Sequence, residues 1–226
     1  MLEFNPIGHI RTDFSTKFGI PRQSGLVKEL EGQIIFEPEF RSMEAVRGLE
    51  AFSHIWLIWE FSQSMGRGWS PTVRPPRLGG NKRMGVFATR SPFRPNPVGL
   101  SCVELKAIKM NQRLGPVLHV LGADLMDHTP ILDIKPYVPH ADSHPEAKGG
   151  FSDAFKDYGL EVVFPEEWLR LIPTEKRTAL VGALSQDPRP SYQDDPERIY
   201  GFNFAGFEIR FRVEEPRLIV CQVLSA

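Results

Sequence analysis

Residues 84–101 read Met84-Gly-Val-Phe-Ala-Thr-Arg-Ser-Pro-Phe-Arg-Pro-Asn-Pro-Val-Gly-Leu-Ser101. The apolar start, residues 84–88, predicts a buried strand. The chain breaks into a loop at Thr89, and a second strand leaves at Gly99. Pro92, Pro95 and Pro97 each fix φ and push the preceding residue toward extended geometry, so the loop spends little entropy on being ordered. Arg90 and Arg94 stand on this stiffened loop, and a guanidinium is suited to planar two-point pairing with carboxylate or phosphate.

The loop closes a longer basic stretch. Arg67, Arg74, Arg77, Lys82, Arg83, Arg90 and Arg94 follow one another without an intervening Asp or Glu, in a chain of formal charge −1. Trp69, Phe87 and Phe93 are interleaved, and Gly66, Gly68, Gly79 and Gly80 let backbone approach a ligand. Cations beside aromatic faces are the footprint of a nucleic-acid or nucleotide site; a solvated basic face has the same composition.

On the N-terminal side, residues 4–10 and 32–36 predict strands, joined by a loop that holds residues 17–25. Residues 38–49 predict a short helix. Residues 54–61, apolar at odd and even positions alike, predict a strand covered on both faces, with Trp56 and Trp59 in the core. Strands at 100–110, 116–122 and 131–135 follow. A stretch rich in Pro, His, Asp and Gly then reads as a linker. Beyond it come helices at 165–171 and 175–185, the second capped by Thr174, and strands at 200–204, 207–213 and 218–224 with a hairpin turn at 203–206. The organisation expected is a mainly β domain over residues 1–138, a linker over 139–160 and a small α+β domain over 161–226.

A chain of 226 residues that is 41% apolar has enough material for a core. No apolar run approaches the roughly 20 residues that span a bilayer, and the first residues lack a basic region followed by an apolar one. The cytoplasm is the expected compartment. Cys102 and Cys221 stand alone in apolar stretches, as reduced core residues do. Gly66 and Gly68 begin a dinucleotide-binding pattern, but Pro71 occupies the position of its third glycine, and no phosphate-binding P-loop is present. Asp133, His140, Asp142 and His144 invite a metal-dependent hydrolase, although His-x-x-x-His in a Pro-rich stretch has no helix to align its imidazoles.

Residues 85–101 closely resemble the signature of the TrmO family, S-adenosylmethionine-dependent enzymes that methylate N6 of threonylcarbamoyladenosine beside the tRNA anticodon. Pro21-Arg22-Gln23, Asp124-Leu-Met-Asp-His-Thr-Pro-Ile-Leu-Asp-Ile-Lys-Pro-Tyr137 and Asp187-Pro-Arg-Pro-Ser-Tyr192 match further segments in the family's order. His128 stands where the family has glycine. The resemblance implies a single-sheet β-barrel methyltransferase domain followed by the small α+β C-terminal domain, with the cofactor at the interface of a homodimer.

The resemblance also implies which residues act. Pro21, Arg22, Gln23, Arg90 and Leu100 would contact S-adenosylmethionine, Arg90 by pairing with its carboxylate. Asp124, Leu125, Met126 and Asp127 would approach its positive amino or adenosyl end, with Ser62 and Gln63 as additional contacts. Asp beside Pro and Thr also serves to cap turns, so Asp124 and Asp127 carry both readings. Arg189 would grip phosphate or the threonyl carboxylate, Tyr192 would stack on the base, and Asp187 would accept the N6 proton. A helix stop with a surface ion pair is the other reading of that segment, and a non-catalytic RNA-binding barrel is the other reading of the chain.

Overall fold

The computed structural model describes residues 4–66, 68–78, 82–189, 195 and 197–225, with the Arg77 side chain excepted. The strands are β1 (Gly8–Arg11), β2 (Glu31–Phe36), β3 (His54–Glu60), β4 (Thr72–Val73), β5 (Met84–Gly85), β6 (Val98–Asn111), β7 (Gly115–Leu121), β8 (Thr129–Pro136), β9 (Glu161–Val163), β10 (Tyr200–Phe204), β11 (Phe207–Glu214) and β12 (Arg217–Ser225). The helices are α1 (Pro139–Asp142), α2 (Glu166–Leu169) and α3 (Thr174–Ser185).

Six strands close into a barrel in the order β1-β2-β7-β6-β3-β8, with β8 returning to β1, and every pairing is antiparallel. Closure leaves no free edge. Alternate residues point inward: Ile10, Ile34, Ile55, Leu57, Val103, Leu118 and Ile131 fill the interior. On β3 this alternation is strict, so Ile55, Leu57 and Trp59 are buried while Trp56 and Ile58 lie half-exposed on the outer wall. The expectation of cover on both faces is therefore wrong for Trp56. Its indole donates to Asp142 of α1 at 3.1 Å, and its ring meets Tyr137.

Two other expectations change. Residues 84–88 form only the two-residue β5 and a 3-10 turn, with Val86 buried and Phe87 76% exposed. Residues 38–49 form short 3-10 turns separated by extended residues, not one helix.

The C-terminal sheet runs β10-β11-β12-β9, with β9 parallel to β12 and the rest antiparallel. The β10–β11 turn places Ala205 and Gly206 at positive φ. Helix α3 buries Ala179, Leu180, Ala183 and Leu184 against this sheet. Thr174 makes no cap: Pro173 precedes the helix and no side chain bonds to its first turn.

The chain between β1 and β2 crosses over. Phe14, Val27 and Leu30 are buried in the C-terminal core among Phe202, Phe204, Phe211 and Leu180. Ala205 N–H donates to the Asp13 carbonyl at 2.9 Å, and Lys176 pairs with Asp13 at 2.7 Å. Residues 12–30 thus belong to the barrel by connectivity and to the C-terminal core by packing.

Candidate active site

Three segments converge at one end of the barrel around a cavity of about 540 Å3, within the ordinary range for small-molecule sites. The first is the crossing segment, which contributes Lys17, Ile20, Pro21, Arg22 and Gln23. The second is the end of β3 and the turn after it, with Trp59, Glu60, Phe61, Ser62 and Gln63. The third is the proline-stiffened loop and the start of β6, with Thr89, Arg90, Phe93, Arg94 and Leu100. Asp124, Leu125, Met126 and Thr129 line the remaining wall.

That wall is laced to the crossing segment. Asp127 N–H donates to the Phe14 carbonyl and His128 N–H to the Ile10 carbonyl, each at 2.8 Å, and Thr12 Oγ1 donates to the Leu125 carbonyl at 3.0 Å. His128 takes φ 62°, the left-handed turn geometry that glycine adopts freely. Gly122 does the same at φ 76°, and a Cβ there would stand 3.2 Å from the Gly25 backbone. These close approaches set residues 124–126 against residues 20–23.

The charges are mixed. The Arg90 guanidinium donates to Gln23 Oε1 and joins two of the walls. Arg94 braces its own loop by donating to the carbonyls of Thr89 and Ser91 at 3.1 and 3.3 Å. Of the two guanidiniums on the loop, Arg90 is thus the one directed across the cavity. Burial pushes the Asp124 carboxyl up from its ordinary value, against the opposing pull of a hydrogen bond from Ser101 and the positive charge of Arg90. Trp59 and Phe61 lie with ring centroids 4.3 Å apart and give the cavity an aromatic wall.

Pro21, Arg22, Gln23, Ser62, Gln63, Arg90, Leu100, Asp124, Leu125 and Met126 therefore come together around one space. Asp127 does not line it. Its carboxylate accepts from Arg11 Nε at 2.9 Å and from Thr12 N–H at 3.0 Å, tying the end of β1 to the turn before β8.

Asp187 and Arg189 also lie elsewhere. Asp187, at φ 53°, lies just past the C-cap of α3, and Pro188 prevents the helix from continuing. Arg189 is 7% exposed. It donates through Nε and Nη2 to the two Asp187 oxygens at 2.9 and 3.0 Å, and through Nη2 to Glu215 at 2.8 Å. Burial acts to raise the Asp187 carboxyl, but the bonds from Arg189 and from the Tyr158 hydroxyl prevail and hold it below its ordinary value. Tyr192, Arg67, Gly79, Gly80 and the Arg77 side chain lie outside the described residues.

Among the described residues, no three His, Cys, Asp or Glu side chains are grouped to hold a metal ion, and Asp142 is instead bonded to Trp56 and to the Val138 N–H. Sequence reasoning missed Trp59 and Ser101 as parts of the site. A polar serine within the apolar run Val98–Val103 at the start of β6 was the available signal for Ser101. Its partners depend on register, which the sequence does not display.

Residues 9–143 match the family described as the tRNA-methyltransferase O N-terminal domain, and residues 158–226 match the TrmO C-terminal domain. The chain belongs to the TrmO family. It is 45% identical over 221 residues to the tRNA (adenine(37)-N6)-methyltransferase of Escherichia coli K12, covering 94% of each chain. It is 40% identical over 223 residues, covering 95% of this chain and 94% of the relative, to a Pseudomonas aeruginosa protein named as an S-adenosylmethionine-dependent methyltransferase. A crystal structure of TrmO from Pseudomonas aeruginosa superposes with a TM-score of 0.79 at 33% identity, covering 100% of each chain. TrmO relatives are named as enzymes, which disfavours a non-catalytic RNA-binding barrel.

Proposed function

We propose that the chain methylates N6 of threonylcarbamoyladenosine at position 37 of tRNA, with S-adenosylmethionine as donor, and that it works in the cytoplasm. The observation that carries this reading is the shared cavity: segments far apart in sequence bring a guanidinium, a buried carboxylate and an aromatic wall around one space. These groups fit the donor's chemistry. Arg90 offers a pair for its carboxylate, Asp124 a partner for a cation, and Trp59, Phe61, Leu125 and Met126 an apolar surface for its adenosyl group. When bound, S-adenosylmethionine supplies an electrophilic methyl on a sulfonium.

The protein's contribution is alignment and exclusion of water. The prolines hold Arg90 against Gln23 and so fix the direction in which the donor's carboxylate is pulled. Asp187, held low by Arg189, is a weak base; the two residues serve to fix the start of the polar stretch that follows, in which Tyr192 is the candidate for stacking on the base. Arg74, Lys82 and Arg83 are exposed and suited to phosphates, giving affinity without sequence choice.

A homodimer completes the proposal. Val98, Leu100 and Phe93 line the cavity yet are 36%, 52% and 42% exposed, an apolar rim that a second copy would cover. Light scattering during gel filtration checks it, and a monomer mass at micromolar concentration refutes it. The function itself is tested by methyl incorporation into tRNAs of identical sequence with and without the threonylcarbamoyl group. Incorporation is expected only into the modified tRNA; equal rates on both would refute the assignment of substrate.

A further inference from the structure

Behind the cavity wall three side chains form a hydrogen-bond relay with a fixed direction. Trp59 is buried, and its partner across the strands, Gly99, leaves the room that its ring fills: a Cβ at position 99 would stand 2.3 Å from the indole. The indole N–H can only donate, and it does so to Ser101 Oγ at 3.0 Å. Ser101 is 1% exposed, so water offers no alternative partner. With one lone pair engaged by Trp59, the single hydroxyl proton goes to Asp124 Oδ1 at 2.6 Å. Asp124 must therefore accept at this oxygen, and a hydrogen bond to a carboxylate is stronger when the carboxylate is ionised, so the relay favours the charged form. The backbone of Ser24 and of Asp124 itself also favours the ionised form.

Arg90 acts on Asp124 directly, and the other charged residues lining the same cavity are Lys17 and Arg22 on the crossing segment, Arg94 on the proline-rich loop and Glu60 at the end of β3. Cations outnumber acids in this wall. An occupant that carries a cation of its own, as a sulfonium donor with an α-ammonium does, is repelled unless a carboxylate answers it. Asp124 is the acid held from behind by a buried relay.

We propose that Ser101, oriented by Trp59, is a positioning residue that keeps Asp124 ionised and directed as the partner of the donor's cationic end. This rests on the assignment of S-adenosylmethionine to the cavity. Burial already raises the Asp124 carboxyl, so loss of the Ser101 hydrogen bond moves it further in the same direction. A protonated Asp124 offers no charge to the donor. Affinity therefore falls as pH falls through that carboxyl's pKa, and it begins to fall at a higher pH when Ser101 is absent.

The test is calorimetric titration of S-adenosylmethionine into the full-length protein across roughly pH 5 to 7, where ordinary Lys and Arg do not titrate. Wild type, Ser101→Ala, Trp59→Phe and Asp124→Asn are compared. Asp124→Asn is expected to bind about tenfold or more weakly at pH 7 and to lose the part of the pH dependence that Asp124 supplies. Ser101→Ala and Trp59→Phe are expected to keep the wild-type pH dependence with its midpoint moved upward. Ser101→Ala weakened by one constant factor at every pH, or superimposed on wild type, would overturn the proposal, because a merely structural serine shifts no midpoint. Should Ser101→Ala fail to fold by circular dichroism, Trp59→Phe, which keeps a ring in the same space, carries the same comparison. No binding by wild type would overturn the donor assignment and this proposal with it; binding by wild type with unmoved midpoints would overturn this proposal alone.

Discussion

Replacing Arg189 by methionine should lower stability sharply. The guanidinium is 7% exposed and bonds to both oxygens of Asp187, whose side chain is 15% exposed. Removing one partner of such a pair strands a charge away from water, which costs about 3–5 kcal/mol. The second partner, Glu215, is 63% exposed, and its pairing is worth at most about 1 kcal/mol. At about 2–4 °C per kcal/mol for a chain of this size, Arg189→Met should lower Tm by about 6–20 °C. The double variant Asp187→Asn, Arg189→Met should recover much of the loss, since no charge is then stranded. The pH dependence has a definite sign. Asp187 is held below its ordinary value, so its contribution is present above the unfolded carboxyl pKa of about 4 and is lost as pH falls through the folded value. The Tm gap between wild type and Arg189→Met should therefore narrow in strong acid. Thermal unfolding followed by circular dichroism from neutral to acid pH measures all of this. An unchanged Tm at pH 7 together with lost methylation would refute the reasoning and return Arg189 to the role of substrate grip.

Other outcomes follow from the same geometry. Arg90→Ala should weaken S-adenosylmethionine about ten- to a hundredfold by calorimetry, the loss of one charge-assisted pair; unchanged affinity in a folded variant would exclude Arg90 from the site. Asp124→Asn should raise the Tm of the ligand-free protein while weakening the donor, because an ionised Asp124 whose pKa is raised costs the fold at neutral pH; a lower Tm would contradict this. Lys82→Ala should reduce the log–log salt slope of tRNA binding by about 0.7–0.9 for each phosphate that the lysine neutralises, alike for many RNAs, and an unaltered slope would remove Lys82 from the interface. Tyr158, whose hydroxyl burial and the Asp187 carboxylate push up to about 12, contributes stability below pH 10 or so that fades as pH rises toward that value; Tyr158→Phe should flatten that alkaline loss of Tm.

Most strands were legible as apolar runs bounded by Gly, Pro and polar turns, and α3 because Ala179, Leu180, Ala183 and Leu184 repeat at helical spacing. Barrel closure was not, since pairing β8 with β1 joins residues far apart in sequence, and only the family resemblance supplied it. β9 escaped because a strand of three residues is too short to show a period, although Leu160, Val162, Val163 and Phe164 around it are apolar. Residues 84–88 look buried by composition, yet the 3-10 turn that follows β5 turns Phe87 outward. The residues around the cavity were legible as motifs; the Trp59–Ser101–Asp124 connection was not, because it depends on the register of β3 against β6 and on the turn before β8.

The crossing of residues 12–30 has a consequence for synthesis. As the chain leaves the ribosome, all six barrel strands are out once β8 has emerged, and their backbone pairing can be completed. Phe14, Val27 and Leu30 must still wait for β10, β11 and β12, the last strands made, before they are covered. Until then the crossing segment is held by its hydrogen bonds to residues 122–127 and by Arg90 on Gln23, with its apolar side chains open to water. A nascent or prematurely terminated chain thus reaches the barrel stage with Phe14, Val27 and Leu30 uncovered, and such fragments should aggregate more readily than the finished molecule.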